Sequence, residues 1–162
     1  MKYSDILKRN LVLRDQFSEQ DAFNITVLAN ITVNQLNEIL EMNVRELGIH
    51  AVVNSGDFDN IVQDSAKFSN SQCIIVFWEL SDLIDGFQYK AEVMEQEELD
   101  ALMVKLKVEL NFVFANLKDT ALIFFNLFSP FTRCKAISAK SKLSSFSDEI
   151  NQYLHQISPA NV

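Results

Sequence analysis

Apolar residues fall along this chain in two kinds of run: short unbroken blocks, and longer stretches in which they recur every three or four positions. The short blocks are Phe23-Asn24-Ile25-Thr26-Val27-Leu28-Ala29, then 49–54, 73–78 and 121–125. Their β-branched and aromatic content, with polar or turn-forming neighbours, predicts four strands. The third and fourth are apolar at every position, which predicts strands buried on both faces, as in a parallel sheet covered by helices. The spaced stretches predict the helices. One covers 4–17, offers Ile6, Leu7, Val12, Leu13 and Phe17 for burial, and is expected at the sheet edge. Another carries Leu36, Ile39, Leu40, Val44 and Leu47 and stops at Gly48, where a left-handed cap is needed. A third follows the turn Ser55-Gly56-Asp57, with Asp57 as its cap and Phe58, Ile61, Val62 and Ala66 on one face.

The longest helix spans about 25 residues before the fourth strand, with Leu99, Leu102, Met103, Leu106, Leu110, Val113, Phe114 and Leu117 on one stripe. Acidic residues crowd its first turns and lysines come later, an order that suits the helix dipole. After a break at Pro130, a last helix over Lys142–Ile157 turns Leu143, Phe146, Ile150, Leu154 and Ile157 inward. The element order is therefore α-β-α-β-α-β-α-β-α, and right-handed crossovers wind it into a three-layer, flavodoxin-like α/β domain with a parallel sheet of order 2-1-3-4. Residues 1–22 form an N-terminal helical extension and 23–162 the domain proper. In such a sheet, ligands bind beyond the carboxyl ends of strands 1 and 3, where the order reverses. A fifth strand is expected to begin at Ala160-Asn161-Val162, so the expectation is of a fragment or the N-terminal part of a longer protein.

Composition narrows the function. The chain has 162 residues, a hydrophobic fraction of 48% and only 3 Gly and 2 Pro, which fits one compact domain. Its net charge of −8 argues against nucleic acid, whose phosphates need clustered cations. The richest basic stretch, 133–142 with Arg133, Lys135, Lys140 and Lys142, reads as a solvated helix face. Cys73 and Cys134 are two unclustered cysteines, which give neither a disulfide framework nor a metal motif, and a reducing, cytoplasmic compartment is the simplest expectation. No apolar run reaches the roughly 20 residues of a membrane span, and no cofactor or metal motif is present. GxGxxG, GxxxxGK[ST] and a receiver-type acidic pair after the first strand are all missing.

Five residues stand where a ligand would sit. Asn30 and Thr32 follow the first strand, and two readings are open: ligand contact, or capping of the next helix by Thr32 or Asn34. Glu79 and Asp82 follow the third strand, either as hydrogen-bonding or acid/base groups or as a capping turn. Asn126 ends the fourth, facing the crevice or satisfying backbone. A Ser-His-acid set needs a base; His50 lies at the wrong end of its strand and His155 in the last helix, so neither qualifies.

The blocks Thr26-Val27-Leu28-Ala29-Asn30-Ile31-Thr32-Val33-Asn34-Gln35-Leu36, Gly56-Asp57-Phe58-Asp59-Asn60-Ile61-Val62-Gln63-Asp64, Val76-Phe77-Trp78-Glu79-Leu80-Ser81-Asp82-Leu83 and Leu122-Ile123-Phe124-Phe125-Asn126 resemble the N-terminal domain of FkbH-like proteins. The resemblance implies a fold related to SGNH hydrolases, followed in fuller members by a phosphatase-like domain of the haloacid dehalogenase superfamily. It also implies a place in polyketide or surface-polysaccharide precursor biosynthesis, with intermediates sometimes held on an acyl carrier protein. The Gly-Asp-Ser block of an active SGNH enzyme is replaced here by Ala29-Asn30-Ile31-Thr32, which supplies no serine. The expected function is therefore a non-catalytic or substrate- or carrier-binding domain, partnered by the phosphatase-like domain or an acyl carrier protein. The alternatives are a divergent esterase or acyltransferase using Thr32 as nucleophile with a His beyond residue 162, and a stand-alone interaction module.

Overall fold

The structure is a computed structural model and describes residues 2–17, 20–130 and 141–162. Four parallel strands, β1 (Phe23–Ala29), β2 (Ala51–Ser55), β3 (Cys73–Phe77) and β4 (Leu122–Phe125), lie in the order β2-β1-β3-β4. Ile25 pairs with both Val53 and Cys73, and Cys73 with Leu122, so the strand ends are nearly level and form one crevice edge. The helices are α1 (Tyr3–Gln16), α2 (Leu36–Glu46), α3 (Ile61–Lys67), α4 (Phe87–Lys90), α5 (Gln96–Asn116) and α6 (Lys142–Ile157).

Alternation along the strands sends side chains to two cores. Leu28, Ile74, Val76 and Ile123 pack under α3, α5 and α6, with Leu106, Leu110, Val113, Phe146 and Ile150 fully or nearly buried. Ile25, Val27, Ala51, Val53 and Cys73 pack under α2, through Leu36, Leu40 and Val44. Three layers result, as the apolar pattern predicts. Gly48 does take a left-handed φ of +85° after α2.

Several local expectations are corrected. α1 packs on α2 instead of the sheet edge, and its inward stripe is Ile6, Asn10, Leu13 and Phe17, leaving Leu7 and Val12 exposed. Asn10 is admitted because Arg45, itself buried, donates to its Oδ1 at 2.6 Å, while its amide donates to Glu41 at 2.9 Å. The second strand starts two residues later than 49, and the longest helix is α5 with 21 residues, preceded by the short α4 and a 3-10 turn over Leu80–Asp82. β4 is not buried on both faces: Leu122 and Phe124 are exposed, because the core on the α2 side reaches only as far as β3. Phe58 is 67% exposed in the turn before α3. Asp57 does not cap α3; the carboxylate of Asp64 reaches back instead and accepts from the Asp57 N–H at 2.5 Å. Cys134 and the basic stretch up to residue 140 lie outside the described residues.

The last residues run beside β4. The N–H of Ile123 donates to the carbonyl of Asn161 at 2.8 Å, and the Asn161 amide donates to the carbonyl of Thr120. Among the described residues, no helix is long and apolar enough to cross a membrane.

Candidate functional site

The carboxyl ends of the strands are shaped by three asparagines. Asn30, buried to 1% exposure one residue past β1, accepts from the Glu79 N–H at 2.8 Å and donates to the Glu79 carbonyl at 2.9 Å. Asn126, one residue past β4, does the same to Trp78, at 2.7 and 3.1 Å. Asn151 on α6 takes both backbone groups of Phe128, each at 2.8 Å. A carboxamide carries the donor and acceptor of a peptide unit. Asn30 and Asn126 therefore extend the sheet on both sides of β3, through Trp78 and Glu79, after the neighbouring main chains have turned away. Their amide atoms are committed to backbone.

Thr32 is placed differently. It is exposed, and neither it nor Asn34 caps α2, whose N-terminus at Gln35 has no side-chain cap. Thr32 and Asn34 line a hollow with Val27, Ala29, Ile31, Val33, Ser55, Gly56 and Phe58, with a volume of about 260 Å³. The hollow sits over the ends of β1 and β2, on the α2 side. Its rim is held by Asn37 and Ser55, which exchange hydrogen bonds at 2.8 and 3.2 Å. Every lining side chain is apolar, hydroxyl or amide; none is charged.

Asp82 lies elsewhere, in a cleft of about 220 Å³ on the α3–α5 side, with Asp59, Trp78, Leu102, Lys105 and Glu109. Its carboxylate accepts from the Ser81 hydroxyl at 3.1 Å. Glu79, one residue past Trp78, lines neither hollow and is half-buried. Burial pushes its carboxyl above the ordinary glutamate value, and the charge of Asp82 adds to the rise. Of the five residues picked from sequence, the structure joins Asn30 to Glu79 directly and sets Thr32 and Asp82 on opposite faces of the sheet.

Sequence reasoning missed Ser55, Phe58 and Asp64. Asp64 is 3% exposed and organises the turn between β2 and α3 through Asp57 and the Asn60 amide, at 2.5 and 3.2 Å. Its signal was legible: a carboxylate three residues after Ile61, on the inward face of an apolar helix. Gly56 is required by the same turn, since a Cβ there would meet Asp64 Oδ2 at 2.6 Å and Leu28 Cδ2 at 2.8 Å.

The imidazoles are remote from both hollows. His50 stacks on Phe17 with ring centroids 6.1 Å apart and pairs with the Gln20 carbonyl at 2.7 Å, at the amino end of β2. His155 is exposed on α6. Cys73 is buried inside β3, and burial raises its thiol above the ordinary value, which keeps it protonated and inert. Among the described residues, no three His, Cys, Asp or Glu side chains converge as a metal site would need.

No family model matches the chain, and no curated protein matches it. Among solved structures it is similar to the N-terminal part of the protein BF1531 from Bacteroides fragilis, a chain described as containing a phosphatase domain and complexed with Mg. The two superpose with a TM-score of 0.70 at 11% identity, over 99% of this chain and 43% of that one. This chain thus spans less than half the length of the solved chain it matches, and at that identity the likeness is one of fold.

Proposed function

We propose that this chain is a non-catalytic binding domain of an FkbH-like biosynthetic protein, which holds an acyl intermediate or its carrier arm for a phosphatase-like domain or an acyl carrier protein in a polysaccharide or polyketide precursor pathway. The observation that carries this reading is the uncharged hollow at the ends of β1 and β2, lined by Thr32, Asn34, Ser55 and Phe58. At about 260 Å³ it sits just below the usual range for compact small-molecule sites. A slender chain that brings amides and a thioester fits such a lining better than a free phosphate, which needs cations. Thr32 and Asn34 supply hydrogen bonds to the arm, and Ala29, Val33 and Phe58 pack on its methylenes. In this reading Asn30 and Asn126 are positioning residues that hold the end of β3 beside the hollow, while Glu79 and Asp82 lie outside the hollow and are left for the partner's surface. The fold likeness to a chain described as containing a phosphatase domain supports the choice of partner.

The test is a two-dimensional NMR titration with an S-acyl pantetheine, with and without its terminal phosphate. Saturable shifts confined to the amides of Thr32, Asn34, Ser55 and Phe58, weakened by Phe58→Ala, are the expected outcome. No shift at those amides at millimolar ligand would overturn the reading, as would turnover of the thioester by the chain itself.

A further inference from the structure

The cleft that holds Asp82 lies apart from the hollow of Thr32 and Asn34, and it opens where the strand order reverses. The N–H of Asp59 donates to the carbonyl of Ala29, the last residue of β1, at 3.1 Å, and Trp78 follows β3 directly. Both line this cleft of about 220 Å³, which α3 and α5 flank. It therefore sits beyond the carboxyl ends of β1 and β3, the place where open parallel sheets take ligands. Its apolar lining is Ile61, Trp78, Leu83, Leu102 and Leu106. Among the described residues, Trp78 makes side-chain-mediated hydrogen bonds only from its main chain, to Asn126. Its indole N–H, on a residue 5% exposed, has no acceptor there, although a buried indole ordinarily finds one.

The charged lining is one-sided. Lys105 is paired with Glu109 at 3.7 Å, whereas Asp59 and Asp82 have no cationic partner among the described residues. Three carboxylates thus stand against one ammonium. The charge of Asp82 is felt beyond its own side chain: after burial, it is the second cause that raises the Glu79 carboxyl.

We propose that this cleft binds a primary alkylammonium whose stem carries an oxygen acceptor, the chemistry shared by a free amino alcohol and by a lysine side chain with its main-chain carbonyl. The ammonium meets Asp59 and Asp82, both exposed at the mouth, while the methylenes lie on Ile61, Leu102 and Leu106. The oxygen accepts from the indole N–H of Trp78. An anion is repelled by the same lining, and a neutral apolar ligand leaves the two carboxylates and the indole unanswered. The volume is that of about seven waters, which suits a short unbranched stem with its two polar ends. Ligands this small bind in the millimolar range.

Trp78 is the single tryptophan, so its fluorescence reports on the cleft directly. Titration of the full chain with 6-amino-1-hexanol is expected to change that fluorescence saturably. In two-dimensional NMR it shifts the amides of Asp59, Gln63 and Leu102 and leaves those of Thr32 and Asn34 in place, so the outcome is independent of what the hollow binds. Asp59→Asn combined with Asp82→Asn weakens binding at least about tenfold. Both positions are exposed, and Asn tolerates the left-handed φ of +56° that Asp59 holds, so the fold is not at stake. Lys105→Ala releases Glu109 and tightens binding several-fold. Hexylamine, which lacks the oxygen, binds several-fold more weakly, and hexanoate does not bind. The same titration with N-acetyl-lysine methylamide separates the two sources, the tighter ligand naming the one the cleft serves. No saturable change with either oxygen-bearing amine, hexanol binding as tightly as the amino alcohol, or an affinity indifferent to the double variant overturns the proposal.

Discussion

Replacing Asn30 with alanine tests whether the sheet is extended by side chains. The substitution removes both hydrogen bonds to Glu79, at 2.8 and 2.9 Å, and opens a small void at a position of 1% exposure. A buried backbone group left without a partner costs about 1–3 kcal/mol. Glu79 is half-buried, so water reaches part of it and each of its two groups belongs at the low end of that range. With the void added, the expected loss is about 2–3 kcal/mol, and in a domain of this size that lowers Tm by about 4–12 °C. Asn30→Leu restores the volume without the hydrogen bonds, so it should recover little. Asn126→Ala should cost less, because Asn126 is not fully buried. The double variant should depart from additivity, since Trp78 and Glu79 are adjacent. The assay is urea unfolding followed by far-UV circular dichroism and by the fluorescence of Trp78, the single tryptophan. Asn30→Ala within about 0.5 kcal/mol of the parent, the range of an ordinary surface change, would refute the reasoning.

Two further outcomes follow from the turn and from Glu79. Gly56→Ala forces a Cβ to 2.6 Å from Asp64 Oδ2 and 2.8 Å from Leu28 Cδ2; overpacking of this kind costs about 1–3 kcal/mol, and Asp64→Asn should not relieve it because Leu28 remains. Thermal melts of the two variants, alone and combined, check this. For Glu79, the folded-state value is raised above the unfolded one, by burial first and Asp82 second. Its contribution is fully present below the unfolded glutamate value and is lost as pH rises through the folded one. Stability of Glu79→Gln relative to the parent should therefore rise across that acidic window and then stay level; a flat difference from acid to neutral pH counts against the assignment.

The architecture is readable because parallel strands under helices are apolar in near-continuous runs, and β3 is apolar at every position while β1 is broken only by Asn24 and Thr26. Periodicity does not tell whether a helix covers each half of the sheet, so it predicts Leu122 and Phe124 as core, and both are exposed. The same limit applies to α1. Asn10 interrupts the apolar pattern yet points inward, because Arg45 and Glu41, some thirty residues later, supply its partners. The candidate site was half legible. Polar residues at the ends of apolar strands marked Asn30 and Asn126, but composition cannot distinguish a carboxamide that meets a ligand from one that meets a main chain 49 or 48 residues away. Short polar turns such as Gly86, with its φ of +71°, and α4 carry too few residues for any period to emerge.

Stitching by Asn30 and Asn126 frees the segments that follow them. Here a single side chain on either side completes the pairing of β3, so the chain departs at Ile31 and at Leu127 with no further duty to the sheet. The two segments around the crevice can differ in length and sequence between relatives while the platform beneath them keeps its shape, a division of labour that lets recognition diverge faster than fold.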